Sequence, residues 1–189
     1  MNISRAQVFD SDGFFITGDI GQWNSNGSFS IIDRKKNLIK LPQGEYVSLE
    51  QVETVALGCK YVEQIYVHAD FHHLHLVAII VPHRHHVHAY AASKGMRDAP
   101  LEQVVNNKEF INDVLKELQA VSKEAKLNSY EIVRAIRFEL EPFTLENNSL
   151  TPSMKLKRNE LRVKHSQKIE EMYKELEEAT KASGKRDVL

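Results

Sequence analysis

The chain has 189 residues, 42% hydrophobic and 27% charged, with a formal net charge of −1, which suits one folded domain, or one domain and part of another. So neutral a balance removes any global electrostatic case for nucleic acid as a partner. One cysteine, Cys59, cannot form an internal disulfide and fits a reducing compartment, and no apolar run approaches the roughly 20 residues that span a bilayer.

Met1 to Asp12 lacks the apolar core of a signal peptide, and NISRAQVFDSDG resembles the interior of a domain more than a natural start. Residues 13–17 (GFFIT) and 28–32 (SFSII) read as two short strands, joined across the turn-rich Asn24-Ser25-Asn26-Gly27. A third apolar run, Asn37 to Leu41, is broken by Pro42-Gln43-Gly44, where Gly44 is free to take a positive φ. Ser48 and Gln51 form a capping box for a helix through about Leu57. Cys59, just past that helix, reads as a buried thiol. Residues 61–68 and 73–81 read as paired strands around Ala69-Asp70-Phe71, with Pro82 ending the second.

A helix is expected over 101–125, where Val104, Ile111, Val114, Leu115, Leu118 and Val121 recur at three- and four-residue spacing. Asn128 and Glu131 offer a second capping box, and 134–140 (RAIRFEL) alternates as a strand. A polar loop over 142–153 leads to a charged helix from Asn159 to near Gly184. Its docking face is Leu161, Ile169, Met172, Tyr173 and Leu176. The whole is an α+β pattern.

Two basic segments bear on function. Arg34, Lys35, Lys36 and Lys40 crowd the stretch DRKKNLIKLPQGE (33–45), downstream of Thr17-Gly18-Asp19, and LTPSMKLKR (150–158) carries a second cluster beside a loop. Read alone, the first is a solvated face and Thr-Gly-Asp a surface turn. Asp19 can accept hydrogen bonds from two neighbouring hydroxyls through its two oxygens, and Arg34 presents a fork of donors suited to sugar or phosphate oxygens.

FDSDGFFITGDIG, IIDRKKNLIKLPQGEYVSLEQVE and LTPSMKLKR resemble three successive motifs of the adenylate-forming (AMP-binding) enzyme superfamily, in order and with sensible spacing. The nearest branch is that of the long-chain fatty-acyl-CoA synthetases. The resemblance covers nearly the whole chain but only the C-terminal end of such an enzyme. The phosphate loop, adenine pocket and acyl tunnel would lie upstream. It implies an α+β fold with a short β-hairpin and a small, mostly antiparallel sheet flanked by helices. Residues 1–34 would be the distal edge of the large N-terminal adenylation domain, and 35–189 the mobile C-terminal domain.

The implied reaction has two steps, acid plus ATP to acyl-adenylate and pyrophosphate, then acyl-CoA and AMP, with ATP, Mg2+ and CoA mostly bound by the missing domain. By the resemblance, Thr17, Asp19 and Arg34 bind nucleotide, with Asp19 on the ribose. Lys36 is the hinge, and Lys155 is the catalytic lysine of the first step. Lys40 serves the second step, while Gly44 and Glu45 border the pantetheine arm of CoA. Met154 stands where the wider superfamily has glycine. Asp33 is expected to orient local backbone or Arg34, and Lys157 and Arg158 to sit at a helix entry or between domains.

Eight of the nine histidines fall between His68 and His88. His73 and His75 would share a strand face, and His85 and His88 a helix face; a solvated, pH-sensitive surface is expected there and no physiological metal. The implied partners are the enzyme's own N-terminal domain, fatty acid, ATP and CoA, without nucleic acid, the whole enzyme lying inside the cell, in the cytoplasm or peripherally on a membrane. The isolated chain is expected to be inactive. Two alternatives stay open: a medium-chain or aryl acid–CoA ligase, and a stand-alone, non-enzymatic nucleotide- or metal-binding module. Chain-length preference would be set outside this sequence.

Overall fold

The structure is a computed structural model that describes residues 8–35 and 37–182. Lys36, read from sequence as the hinge, lies outside the described residues. The first strands are β1 (Asp19–Trp23) and β2 (Phe29–Arg34), an antiparallel hairpin closed over Asn24–Ser28. Two changes from the sequence reading follow from local chemistry. Residues 13–17 form no strand, only a single bridge between Phe9 and Phe15, because the Asp10 carboxylate turns the chain by accepting the Asp12 and Phe14 amides. The strand starts instead after Gly18, whose φ of +73° bends the backbone in a way a side chain would resist.

A second small hairpin, β3 (Leu38–Lys40) with β4 (Tyr46–Ser48), runs directly into α1 (Leu49–Ala56). Ser48 caps α1 as its side chain accepts from the Gln51 amide. Leu49, Val52, Glu53 and Ala56, at the i, i+3, i+4, i+7 spacing of one helix face, are its buried residues. Cys59 is buried just beyond, and burial pushes its thiol up.

Strands β5 (Val62–His68) and β6 (Leu76–Pro82) pair antiparallel, and β7 (Val133–Phe138) joins β6 in parallel, giving the order β5-β6-β7. Between β6 and β7 lie α2 (Arg84–Ser93), α3 (Leu101–Val105) and α4 (Lys108–Glu124), the kind of crossover that a parallel pair requires. The helix expected over 101–125 is thus two helices. Asn107 interrupts it by capping α4, its side chain accepting from the Glu109 and Phe110 amides. The capping box of Asn128 and Glu131 is present, on a short 3-10 turn. The last helix is also divided, into α5 (Arg158–Lys164) and α6 (Ser166–Ala182), with His165 at the break. Strand β6 begins at Leu76 and not at 73, since Asp70 accepts the His72 and His73 amides and holds that stretch in a turn.

All seven residues of β6 are buried. Leu76, Ala78 and Ile80 enter one core with α1 to α4, around Phe110, Val114 and Leu118. Val77, Ile79 and Val81 enter a second core with Phe143, Leu150, Leu161, Ile169, Met172 and Tyr173, the last four on α5 and α6. The docking face expected of the final helix is this second core, with Leu176 at its margin. By contrast β1–β2 and the residues before it expose Phe14, Trp23 and Ile31 to 71%, 73% and 64%.

Ile79→Ala should therefore destabilise the chain by about 2–5 kcal/mol, while Ile31→Ala should stay within about 0.5 kcal/mol. Urea unfolding of the two variants checks this; equal shifts would contradict the placement of the core.

Candidate functional site

The motif residues fall on three turns. On the first hairpin, the Thr17 hydroxyl accepts the Asp19 amide at 3.1 Å and the Gly18 carbonyl accepts the Lys35 amide at 2.7 Å. Asp19 lies opposite Arg34 in the β1–β2 register, and Arg34 Nε reaches the Asp19 carboxylate at 3.5 Å. Thr17, Asp19 and Arg34 are thereby brought together, all exposed. Asp33 does what the sequence suggested, with Oδ1 accepting the Arg34 amide at 2.6 Å and the Asn37 side chain at 2.9 Å. Its other oxygen accepts from the Ser48 hydroxyl at the head of α1. Burial pushes the Asp33 carboxyl up, but these donors together hold it below its ordinary value.

The second turn joins β3 to β4. The Leu41 amide donates to the Glu45 carbonyl at 2.8 Å and the Gly44 amide to the Leu41 carbonyl at 2.9 Å. Gly44 has φ +93° with nothing within 4 Å of where a Cβ would stand, so the backbone bend and not crowding calls for glycine here. Lys40 and Tyr46 face each other across the ladder, the ammonium 5.8 Å from the ring centre. Glu45 is exposed, and its charge adds to burial and to Glu131 in pushing the Tyr130 hydroxyl up.

The third turn carries Lys155. Leu150 and Leu156 bridge its base, the Thr151 amide donates to the Lys155 carbonyl at 2.8 Å, and the Lys155 amide returns to the Thr151 hydroxyl at 3.1 Å. Met154, where the superfamily pattern has glycine, sits at φ +60°, the left-handed region that costs a residue with a Cβ roughly 1–2 kcal/mol. The turn keeps a glycine-like geometry without the glycine. The Lys155 side chain is 68% exposed, and its ammonium lies 4.0 Å from Glu50 on α1.

Lys155 borders a groove of about 370 Å³ with Glu50, Glu53, Leu57, Gln64 and Arg158. Lys40 borders a different one, of about 480 Å³, with Tyr66, Phe71, Arg158 and Arg162. Neither groove contains Thr17, Asp19 or Arg34. In this arrangement the first hairpin's Thr17, Asp19 and Arg34 and the two lysines are three separate stations. Among the described residues no group of three or more His, Cys, Asp or Glu side chains converges to hold a metal ion.

Sequence reading missed the contact between Arg158 and Glu53. Arg158 donates from Nη1 and Nη2 to the two Glu53 oxygens at 3.0 and 2.6 Å, so it is not a solvated cation. The signal was present: Glu53 falls on the apolar face of α1, where a carboxylate demands a partner. Burial pushes the Glu53 carboxyl above its ordinary value, against the pull of Arg158 and the Val67 amide. Also missed was a titratable chain at the end of β5. Tyr66 Oη lies 3.1 Å from His68 Nδ1, His68 Nε2 3.5 Å from Asp70, Asp70 2.9 Å from His73 Nδ1, and His73 stacks on Tyr173 at 3.6 Å. His73 and His75 precede β6 and share no strand face. His85 and His88 do lie together on α2.

The fold and the three collinear motifs are those of the adenylate-forming class. No family model matches the chain. Solved structures give the same class: the adenylation domain of a carboxylate reductase from Mycobacterium chelonae superposes with TM-score 0.72 at 33% identity, over 89% of this chain and 24% of that one. A two-domain carboxylic acid reductase structure from Segniliparus rugosus, in complex with AMP, gives 0.74 at 31% identity, over 96% and 24%. Among curated proteins, the peroxisomal long chain acyl-CoA synthetase 6 of Arabidopsis thaliana is 41% identical over 92% of this chain and 25% of its own length. Fatty acyl-CoA synthetase B of Dictyostelium discoideum is 42% identical over 88% and 24%, and long-chain-fatty-acid–CoA ligase 5 of Mus musculus 39% over 91% and 25%. The chain belongs to the adenylate-forming superfamily, in its long-chain acyl-CoA synthetase branch. It spans about a quarter of the length of the curated relatives it matches.

The histidines give a pH prediction. Burial holds His68 and His165 below the ordinary value of 6.5, against the opposing pull of Asp70 and Glu139. The unfolded chain then binds protons more readily than the folded one, so stability is complete above 6.5 and is lost as pH falls below it. The urea midpoint should fall from about pH 7 to about pH 5, and the double variant His68→Asn/His165→Gln should flatten that slope. An unchanged slope in the variant would assign the effect to other groups.

Proposed function

We propose that this chain is the C-terminal part of an ATP-dependent long-chain fatty acid–CoA ligase, residues 1–34 being the edge of its large adenylation domain and 35–189 its mobile domain. The observation that carries this is identity near 40% over about nine-tenths of the chain but only a quarter of each synthetase. The exposed Phe14, Trp23 and Ile31 on and before the first hairpin support it, because so large an apolar area is normally covered.

In the first step a fatty-acid carboxylate oxygen attacks the α-phosphorus of ATP, and the bond to pyrophosphate breaks to give acyl-adenylate. Asp19 accepts from the two ribose hydroxyls and Arg34 donates to nucleotide oxygens, while Thr17 fixes the turn that aims Asp19. The Lys155 ammonium lies between carboxylate and α-phosphate, where charge builds in the transition state. In the second step the CoA thiol, losing its proton, attacks the acyl carbonyl, and the bond to AMP breaks. Lys40 assists that step, and the Gly44–Glu45 turn lies along the pantetheine arm. The change between steps is a rotation about Lys36.

Fatty acid, ATP and CoA are the partners in this reading, together with the N-terminal domain. Mg2+ would be held by groups outside this chain, accompanying ATP. Two relatives from Arabidopsis thaliana are named as peroxisomal, and among the described residues no helix is long and apolar enough to cross a membrane. An intracellular setting, in the cytoplasm or peripherally on a membrane, accords with the reading.

In the full-length protein, Lys155→Ala should lower pyrophosphate exchange by about 100-fold or more and leave thioester formation from supplied acyl-adenylate nearly unchanged. Equal loss in both half-reactions would remove Lys155 from the first step. The 189-residue chain alone should make no acyl-CoA; product from it would refute the division of labour with a missing domain.

A further inference from the structure

Arg158 follows Lys155 by three residues and opens α5. Besides its two bonds to Glu53, Nη1 donates to the Val67 carbonyl at 3.3 Å, and Glu53 Oε1 accepts the Val67 amide at 2.9 Å. The fork therefore closes on two elements at once, α1 and β5. The Glu53 side chain is 10% exposed. A planar guanidinium meeting a carboxylate with two parallel bonds fixes orientation as well as distance, which an ammonium cannot do.

The Lys155 turn depends on such an anchor. Its internal bonds brace it on itself: Thr151 to Lys155 in both directions, and the Lys157 amide to the Ser149 carbonyl at 2.9 Å. They do not set where the braced turn stands on the domain. Its first end is held by Leu150 in the second core. Its other end, where the partly buried Leu156 packs on the margin of the same core, leads within two residues into Arg158. At the tip, among the described residues, the Lys155 ammonium meets the Glu50 carboxylate at 4.0 Å and in solvent, a contact too weak to aim it. Glu50 and Glu53 stand one turn apart on α1, so a single helix faces both cations.

We propose that Arg158 and Glu53 are positioning residues for Lys155, setting the placement of its ammonium for acyl-adenylate formation without touching substrate. This rests on the ligase reading above. A displacement near 1 Å at a reacting group lowers a rate by up to about 100-fold, and either Arg158→Lys or Glu53→Gln opens the fork while preserving side-chain volume.

The test compares Arg158→Lys, Glu53→Gln and Lys155→Ala in the full-length protein, measuring the two half-reactions separately. The two positioning variants should lower kcat for acyl-adenylate formation by about tenfold or more, with KM for ATP and thioester formation from supplied acyl-adenylate each within about twofold. Unchanged adenylation, or an equal fall in both half-reactions, overturns the proposal, the second result being that of general damage to the domain. If the parent protein shows no adenylation the ligase reading fails, if Lys155→Ala leaves adenylation intact only the role of Lys155 fails, and in either case hydrogen exchange on the 189-residue chain decides the placement. There Arg158→Lys should speed exchange of the Lys155 and Lys157 amides by about tenfold while the β6 amides stay protected. Equal protection of the Lys155 turn in variant and parent overturns it.

Discussion

Strand β6 is buried on both faces, and most of the architecture follows from that constraint. A strand that alternates Leu76, Ala78 and Ile80 with Val77, Ile79 and Val81 presents no polar face to water. It must lie in the middle of its sheet with helices on either side. The antiparallel partner β5 comes from its own hairpin, but the other side is filled by β7, in parallel, after a crossover through three helices. The second face then needs α5 and α6, so the chain cannot complete its core until its last helix docks. The Lys155 turn lies in the connection between β7 and those helices. Its location is a by-product of covering β6 twice.

Helix α1 joins the chemically separate stations. At its head, Ser48 uses one hydroxyl both to accept the Gln51 amide and to donate to Asp33, which organises the Arg34 turn. One turn further on, Glu50 faces Lys155 and Glu53 takes Arg158. The second contact is no strong argument for stability, since desolvating a carboxylate and a guanidinium offsets most of their attraction. Its use is geometric. An apolar pair of similar volume would hold α1 against β5 equally well and would leave the end of the Lys155 turn without direction.

Much of this was legible in the sequence, and what was not has a common physical origin. The caps at Ser48 and Asn128, the buried Cys59, the docking face of the last helix and the turn at Gly44 each depend on residues within a few positions of one another, which sequence displays. The helix breaks were harder. Asn107 and His165 sit inside apolar patterns that continue past them, so the periodicity hid the cap at one and the break at the other. The first strand was placed too early because GFFIT is apolar enough for a strand, while Asp10 uses its carboxylate to turn the same residues. The candidate site residues were assigned by motif. The Arg158–Glu53 pair was not, because its partners are far apart in sequence and meet only once α1, β5 and α5 have packed.

The separation of Lys155 from Lys40 bears on how the proposed ligase would work. The two lysines border different grooves of one packed unit, with Arg158 in the wall of both. Bringing each in turn to a single acyl-adenylate by deforming the unit would break the bidentate pair and expose β6. Turning the unit as a whole breaks neither. What such a turn must release are the bonds that Asp33 accepts from beyond Lys36, one from the buried Ser48 hydroxyl and one from the Asn37 side chain, each a single hydrogen bond of modest net worth. The interactions are graded accordingly: bidentate and charged where the unit must stay rigid, single where the chain would have to pivot.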